Sequence, residues 1–380
     1  MPPTIRRARR AARAAGLLYS GDDSPGYGRR GRPGKFHFVD TRGRRIANPR
    51  TLGRVRSLVI PPAWTDVWIN PRPRGHLQAS GRDARGRKQY IYHADWRATR
   101  DSSKFDNLIP FARTLPALRR AVRASLRRPR LDRERVTAVL VRLLETSLIR
   151  IGNDEYARTN QSYGLTTLRM RHARVTRGRI RFAFRGKSGQ QHRIDVPNPD
   201  LARIVRQLQD LPGQELFCYK DSEGKVRRLR SDDVNAYLQQ HSGARFTAKD
   251  FRTWAGTVLA ALTLAQFACP STKTELKRVY SEAVRAVAAR LGNTPAVARR
   301  SYIHPAILEM FAAGRLPPLP PPENWPAPVL RVQLAPEELA VLKLLKAAVP
   351  STAADVPAAF SPPAEKARAS HDRATARRSA

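Results

Sequence analysis

The hydrophobic period changes along this chain near residue 99, and that change limits the fold more than any other feature. Over residues 16–98 the pattern is short and β-leaning, punctuated by Gly and Pro. Lys35-Phe36-His37-Phe38-Val39-Asp40 alternates polar with apolar, as a half-buried strand does, and Thr41-Arg42-Gly43 turns it. Val67-Trp68-Ile69 and Gln89-Tyr90-Ile91-Tyr92-His93 are further candidate strands. Beyond residue 99 apolar residues recur at three- and four-residue steps, and Val136, Leu140, Leu143, Leu144 and Leu148 describe a one-faced helix. A hairpin interrupts the helices. Its arms are Arg179-Ile180-Arg181-Phe182-Ala183-Phe184 and His192-Arg193-Ile194-Asp195-Val196, joined by a turn at residues 185–189. Helices resume over 254–267 and 275–291, the second stopped by Gly292. Thr294 as N-cap and Pro295 at the first position open a short helix that carries Tyr302 at its far end and stops at Pro305.

An α+β chain is therefore expected. Residues 1–15 read as a disordered basic arm, 16–98 as a small β-rich N-terminal domain, and 99–315 as a mostly α-helical domain carrying the hairpin. A proline-rich linker follows over 316–333, then an amphipathic helix over 334–347 and a disordered basic tail over 348–380.

Charge names the class of partner. The 71 Lys and Arg against 31 Asp and Glu leave a formal +40, an excess that repels itself unless a polyanion neutralises it. A GC-rich genome explains why only twelve of the 71 are lysine, but not why acids are so few. Residues 16–97 alone hold 17 basic side chains and 6 acidic ones. Nucleic acid is the expected partner. Cys218 and Cys269 stand in no metal-ligand spacing, so neither a disulfide framework nor a zinc site is indicated and a reducing interior fits. No apolar run approaches the length of about 18 residues that a membrane span needs. The start, Ile5-Arg6-Arg7-Ala8-Arg9-Arg10, has no apolar segment after it as a secretory signal would, though an Arg/Ala-rich start also resembles an organelle transit peptide.

Six blocks carry chemistry when taken in order: residues 81–93, Ile149-Arg150-Ile151-Gly152-Asn153-Asp154-Glu155-Tyr156, Gly164-Leu165-Thr166-Thr167-Leu168, Phe184-Arg185-Gly186-Lys187, Lys249-Asp250-Phe251-Arg252-Thr253-Trp254, and Leu291-Gly292-Asn293-Thr294-Pro295 with Tyr302 nine residues after Asn293. Moving a phosphodiester onto a tyrosine needs donors for the two non-bridging oxygens, a proton for the leaving sugar oxygen, and a hydroxyl in line. The set resembles the small type IB DNA topoisomerases of poxviruses and bacteria, over about three quarters of the chain, 26–311.

The resemblance implies a tyrosine-recombinase-like catalytic fold in 99–315 and a clamp around duplex DNA. Tyr302 is the implied nucleophile, Arg150 and Arg252 the clamps on the non-bridging oxygens, and Lys187 the acid that protonates the leaving 5′ oxygen. Asn293 stands where many members have histidine; its amide can still donate. Arg87, Lys88, Gln89, Tyr90, Tyr92, Tyr156, Ser188 and Lys249 are the implied DNA contacts. Singly, these residues have plainer readings: surface arginines, a solvated hairpin tip, a packing tyrosine. Arg299 and Arg300 are expected to add positive charge near the Tyr302 phenol, and His304 to be structural. No ATP, metal or other cofactor is implied, and the expected form is a monomer working in the cytoplasm on nucleoid DNA. Two alternatives stand beside this reading. A tyrosine recombinase usually has histidine two or three residues before its second arginine, where this chain has Lys249 and Asp250. A non-enzymatic basic DNA-binding protein needs the charge but no ordered set.

Overall fold

The computed structural model describes residues 3–326 and 330–348. It begins with a helix, α1 (Pro3–Ala14), where a disordered arm is expected. The reason is non-local. Ala12 and Leu17 are buried with Trp96, some eighty residues away, and Ala8, Ala11 and Ala15 pack against them. Of the basic tail expected over 348–380, all but its first residue lies outside the described residues.

Next come β1 (Tyr27–Arg30), β2 (His37–Val39), α2 (Pro49–Ser57), β3 (Thr65–Ile69), β4 (Leu77–Arg82) and β5 (Lys88–Tyr92). The strands form one antiparallel sheet in the order β2-β1-β3-β4-β5. Val55 of α2, Ile69 and Ala79 centre its small core. β2, β3 and β5 coincide with the candidate strands, whereas β1 and β4 lie outside them. β4 hides its polar side chains: Gln78 donates to Pro73 O and Gly75 O at 2.8 and 2.7 Å, and Ser80 Oγ to Asp22 at 2.6 Å. Leu77-Gln78-Ala79-Ser80 alternates in sequence yet is buried on both faces, because its polar side chains find partners inside.

The second part runs through α3 (Ala94–Ser102), α4 (Leu108–Leu126), α5 (Arg133–Ser147), α6 (Asp154–Asn160), β6 (Ala173–Thr176), β7 (Arg179–Arg185), β8 (Gln191–Pro197), α7 (Pro199–Gln209), β9 (Cys218–Lys220), β10 (Val226–Arg228), α8 (Ser231–Ser242), α9 (Ala248–Leu264), α10 (Lys273–Leu291), α11 (Pro295–Tyr302), α12 (Pro305–Ala312) and α13 (Pro336–Ala348). With all sheets antiparallel and helices dominating, the chain is α+β. α5 is not one-faced. Its residues are buried nearly all round, because helices and the β6-β7-β8 sheet surround it. β7 keeps strict alternation, with Ile180, Phe182 and Phe184 inside.

One hydrophobic cluster extends from Leu108 on α4 to Leu345 on α13. The proline-rich segment is no free linker, since Trp325 is buried in that cluster and Leu316, Leu319 and Leu330 pack on it. α13 docks through a buried carboxylate. Glu338 accepts from both terminal nitrogens of Arg119 at 3.0 and 2.8 Å, and from Trp254 Nε1 at 3.1 Å. Arg119 also meets Glu145 at 2.6 Å. Trp254 is two residues beyond Arg252 and Glu145 is five before Arg150, so this network braces both segments that carry the candidate arginines. Among the described residues no helix is long and apolar enough to cross a membrane.

Candidate active site

Arg150 lies just past the end of α5. Leu148 turns the chain with a φ of 57°. The block at 164–168 then holds the following loop: Leu165 N donates to Arg150 O at 2.9 Å and Thr166 N to Ile151 O at 2.7 Å. Glycine is required on both sides. Gly152 has a φ of +103°, and a Cβ on Gly164 would lie 2.5 Å from Arg150 O and from Gly152 N. The spacing between these two sequence blocks is thus one backbone contact. Asn153 caps α6 by accepting from Tyr156 N at 3.0 Å, which leaves the Tyr156 ring exposed on the first turn.

Arg252, at the start of the second turn of α9, is buried. Its Nη1 donates to Leu148 O, and its Nη2 to Leu291 O at 2.7 Å. One guanidinium therefore ties together the C-terminal ends of α5 and α10, where a cation is favoured. Its Nε is buried and has no partner. Burial, reinforced by Arg150 nearby, brings its pKa down to about 10, so it is still charged near neutrality.

Asn293 follows Gly292, the left-handed cap of α10. Arg150 Nη2 donates to Gly292 O at 2.9 Å and also to Asn293 Oδ1. The Asn293 amide nitrogen is left buried with no partner. Burial also lowers the pKa of Arg150.

Tyr302 ends α11, which Thr294 caps and Pro295 opens as expected. Pro305 does more than stop that helix, for it begins α12. His304 caps α12, its Nδ1 accepting from Ala306 N at 3.1 Å, so the expected structural role is what its contacts show. The guanidinium of Arg252 lies 5.2 Å from the centre of the Tyr302 ring. Burial acts to raise the phenol's pKa. Arg252 outweighs it by charge and hydrogen bond, helped by Arg150 and Lys249, and the net shift is downward. Arg299 acts instead on Tyr280. The charges that lower the Tyr302 pKa are those of Arg252, Arg150 and Lys249, which come from other elements of the fold.

Lys187 stands exposed on the tip between β7 and β8. Ser188 beside it is exposed with a φ of 61°. Arg150, Lys187, Arg252 and Asn293 line one cavity of about 650 Å³; the Tyr302 ring is not part of its wall and reaches the group through Arg252.

Three residues at the site escaped the sequence reading. His192 lines the same cavity, stacks on Phe184 at 5.0 Å, and sits where a Cβ on Gly292 or on Gly186 would come within 2.5 Å. Burial lowers its pKa, and Arg150 and Arg252 lower it further. Gly256 leaves room for Tyr302, whose carbonyl would lie 2.5 Å from an added Cβ. Thr257 Oγ1 donates to that carbonyl at 3.3 Å and accepts from His304 N at 3.2 Å. A glycine inside a helix was the available signal for this seat.

The other candidates lie apart from the cavity. Tyr90 and Tyr92 share a face of β5 with ring centres 6.0 Å apart; Tyr90 is exposed, while Tyr92 is half-buried against the Trp96 cluster. Gln89 turns to the opposite face and donates to Asp83 Oδ2 at 2.9 Å. Arg87 pairs with the same carboxylate at 2.7 Å, and Lys88 with Asp22 at 2.7 Å. The sheet meets the helical part where Arg85 Nη1 donates to Asn160 on α6 at 3.4 Å. Lys249 is exposed on the first turn of α9.

Comparison with known proteins adds a separate line. Residues 93–313 match the family described as eukaryotic DNA topoisomerase I, catalytic core, and residues 35–83 match bacterial DNA topoisomerase IB, N-terminal domain. The chain is 32% identical to DNA topoisomerase 1B of Acanthamoeba polyphaga mimivirus, over 69% of this chain and 80% of the viral one. It is 24% identical to DNA topoisomerase 1B of vaccinia virus (strain Copenhagen), over 60% of this chain and 71% of that one. With DNA topoisomerase 1 of rabbit fibroma virus the identity is 25%, over 69% and 82%.

Proposed function

The chain belongs to the type IB DNA topoisomerases, and from that premise we propose that it relaxes supercoiled duplex DNA through a 3′-phosphotyrosyl intermediate formed by Tyr302. The observation that carries this reading is the unpartnered amide of Asn293, buried beside Arg150 in the cavity that Arg252 and Lys187 also line. A sealed donor without an acceptor costs about 1–3 kcal/mol, and a phosphate oxygen is an acceptor that would remove that cost.

In the proposed cycle Tyr302 Oη gives up its proton to solvent water as it attacks phosphorus, which the depressed phenol pKa favours, and takes one back from solvent when resealing releases it. Arg150, the free Nε of Arg252 and the Asn293 amide hold the non-bridging oxygens as negative charge builds on them. Lys187 gives a proton to the departing 5′ oxygen, so the phosphorus–oxygen bond breaks as the phosphorus–tyrosine bond forms. The number of phosphoester bonds is unchanged, so no ATP is consumed. The downstream duplex then rotates under torsion. The freed 5′ hydroxyl, deprotonated by Lys187, attacks back and releases Tyr302. The arginines supply the charge that a divalent metal would otherwise provide. The β1–β5 sheet and the helical part close around the duplex, with Tyr90, Tyr92, Arg87, Lys88, Tyr156, Ser188 and Lys249 against it, while Gln89 stays on Asp83 on the opposite face of β5. A monomer suffices, and nucleoid DNA is the substrate.

The test is relaxation of a supercoiled plasmid by the purified full-length chain, without ATP and with a metal chelator. Relaxation is expected, together with a denaturant-trapped covalent adduct mapping to Tyr302, and Tyr302→Phe should bind DNA yet relax none. Relaxation by Tyr302→Phe at the wild-type rate, or an adduct on another tyrosine, would overturn the assignment.

A further inference from the structure

The N-terminal helix lies outside both matched family regions, and its two faces differ sharply. Arg6, Arg9, Arg10 and Arg13 are exposed and fall at i, i+3, i+4 and i+7, a single stripe along a helix. Ala8, Ala11, Ala12 and Ala15 make the other face, packed on Leu17 and Trp96. α1 contains no acid, and none of the four arginines is paired with a carboxylate among the described residues. Like charges at these spacings repel one another on an isolated helix. Here the docked alanine face holds them together, as a surface built for a polyanion would.

The position of the stripe says which polyanion. The Arg9 guanidinium lies over the Tyr19 ring at 5.9 Å, and Tyr19 stacks on His76 at 4.3 Å. His76 lies 6.0 Å from Tyr92, whose ring is 6.0 Å from Tyr90. A continuous row of rings thus joins the stripe to the strand proposed above to face DNA. An anionic membrane is the less suitable occupant, since a helix that binds in a bilayer interface inserts its apolar face, and that face is taken by Trp96.

We propose that α1 is a second grip on duplex DNA, its arginine stripe holding backbone phosphates that flank the segment held by β5. This rests on the duplex-binding reading of the β1–β5 sheet. Phosphate contacts position a duplex without reading its sequence, so the grip adds affinity and footprint but no site preference.

The test uses the full chain carrying Tyr302→Phe, to keep DNA uncut, with and without Arg6→Gln, Arg9→Gln, Arg10→Gln and Arg13→Gln together. Affinity for a 40-base-pair duplex (about four helical turns) is measured across a salt series. Each phosphate neutralised contributes about 0.9 to the slope of log affinity against log salt. If the stripe neutralises about three phosphates, its removal would lower that slope by about 2.7 and weaken binding roughly 500-fold at 0.1 M salt. A fall of about one unit or more, with restoration by lysine at the same four positions, is the expected result. A smaller fall overturns the inference, and so does an unchanged slope accompanied by a loss of binding to vesicles of anionic phospholipid. In otherwise wild-type protein the four Gln substitutions should leave adduct formation at saturating DNA unchanged. If the parent binds no duplex, the functional reading itself has failed, which is a distinguishable outcome.

Discussion

Replacement of Asn293 separates a catalytic donor from a structural one, because its two side-chain atoms are used differently. Oδ1 accepts from Arg150, while Nδ2 is buried with no partner. Asn293→Ala removes both. Losing the Oδ1 interaction, a charge-assisted bond, costs about 1.5–3 kcal/mol; losing the orphaned donor relieves about 1–3 kcal/mol. The two nearly cancel, so the melting temperature should move little. In the transition state there is no cancellation. Removing one donor from a developing oxyanion slows reactions by about 10²–10³-fold, or roughly 2.7–4 kcal/mol. Asn293→Asp sharpens the contrast, since a carboxylate pairs better with Arg150 yet repels the phosphate. It should melt no lower than wild type and cleave more slowly than the alanine variant. The assay is single-turnover adduct formation at saturating DNA, alongside thermal melting. An alanine variant cleaving within about threefold of wild type, or an aspartate variant faster than the alanine one, refutes the proposed donor.

Four further outcomes are expected. Glu338→Ala leaves Arg119 and Trp254 without their buried acceptor; breaking a buried pair costs about 3–5 kcal/mol, so melting should fall by roughly 6–20 °C, and a shift under about 3 °C would mean α13 is not braced as described. Lys249→Ala removes one of the charges that lower the Tyr302 pKa; the phenol pKa then rises, and the limb of the single-turnover cleavage profile that climbs with pH should move to higher pH, whereas an unmoved limb rules that contribution out. The Arg87 side chain holds Asp83 at about 2, below its ordinary value near 3.8, so the clasp on Arg87 and Gln89 persists above about pH 4 and is lost only as pH falls through about 2; an Asp83 carboxyl titration by NMR with a midpoint near 4 would contradict it. Arg252→Lys cannot serve Leu148 O, Leu291 O and a phosphate with one compact ammonium; cleavage should fall by about 10²-fold or more, and near-normal cleavage would show that the fork geometry is not needed.

What the sequence revealed was local chemistry, and what it hid was long-range satisfaction of polar groups. Thr294, Pro295 and Gly292 each announce a helix boundary by their own conformational limits, and α10 and α11 begin or end where those residues say. The burial of β4 on both faces is not legible, because Gln78 is satisfied by the turn at Pro73 and Gly75 and Ser80 by Asp22, 58 positions earlier. α1 was missed because the tryptophan that folds it lies beyond the first sheet. Likewise an amphipathic helix over 334–347 was legible, but nothing local marks Glu338 as the partner of an arginine 219 positions earlier. Its burial makes the C-terminal segment part of the helical core. At the site the ordered blocks identified which side chains to watch, yet not that Gly152 and Gly164 fuse two of those blocks into one backbone contact. His192 gave no signal at all, because a histidine opposite Phe184 in a hairpin looks like any cross-strand pair.

The arginines themselves show how such a site can be rigid before DNA arrives. Arg252 commits Nη1 and Nη2 to the carbonyls that end α5 and α10, and Arg150 commits Nη2 to Gly292 O and Asn293. These bonds fix both guanidinium planes while using donors that a phosphate could otherwise take. On the cavity wall two buried donors are left unmatched, Arg252 Nε and Asn293 Nδ2. A fold gains nothing from two such orphans close together, and native structures keep them rare. They make sense as donors held ready for a phosphate, their orientation fixed by the helix ends. The same logic explains Gly256 and Thr257: the Tyr302 backbone is seated on α9, the helix that carries Arg252, so the proposed nucleophile and the proposed charge clamp are held by one element.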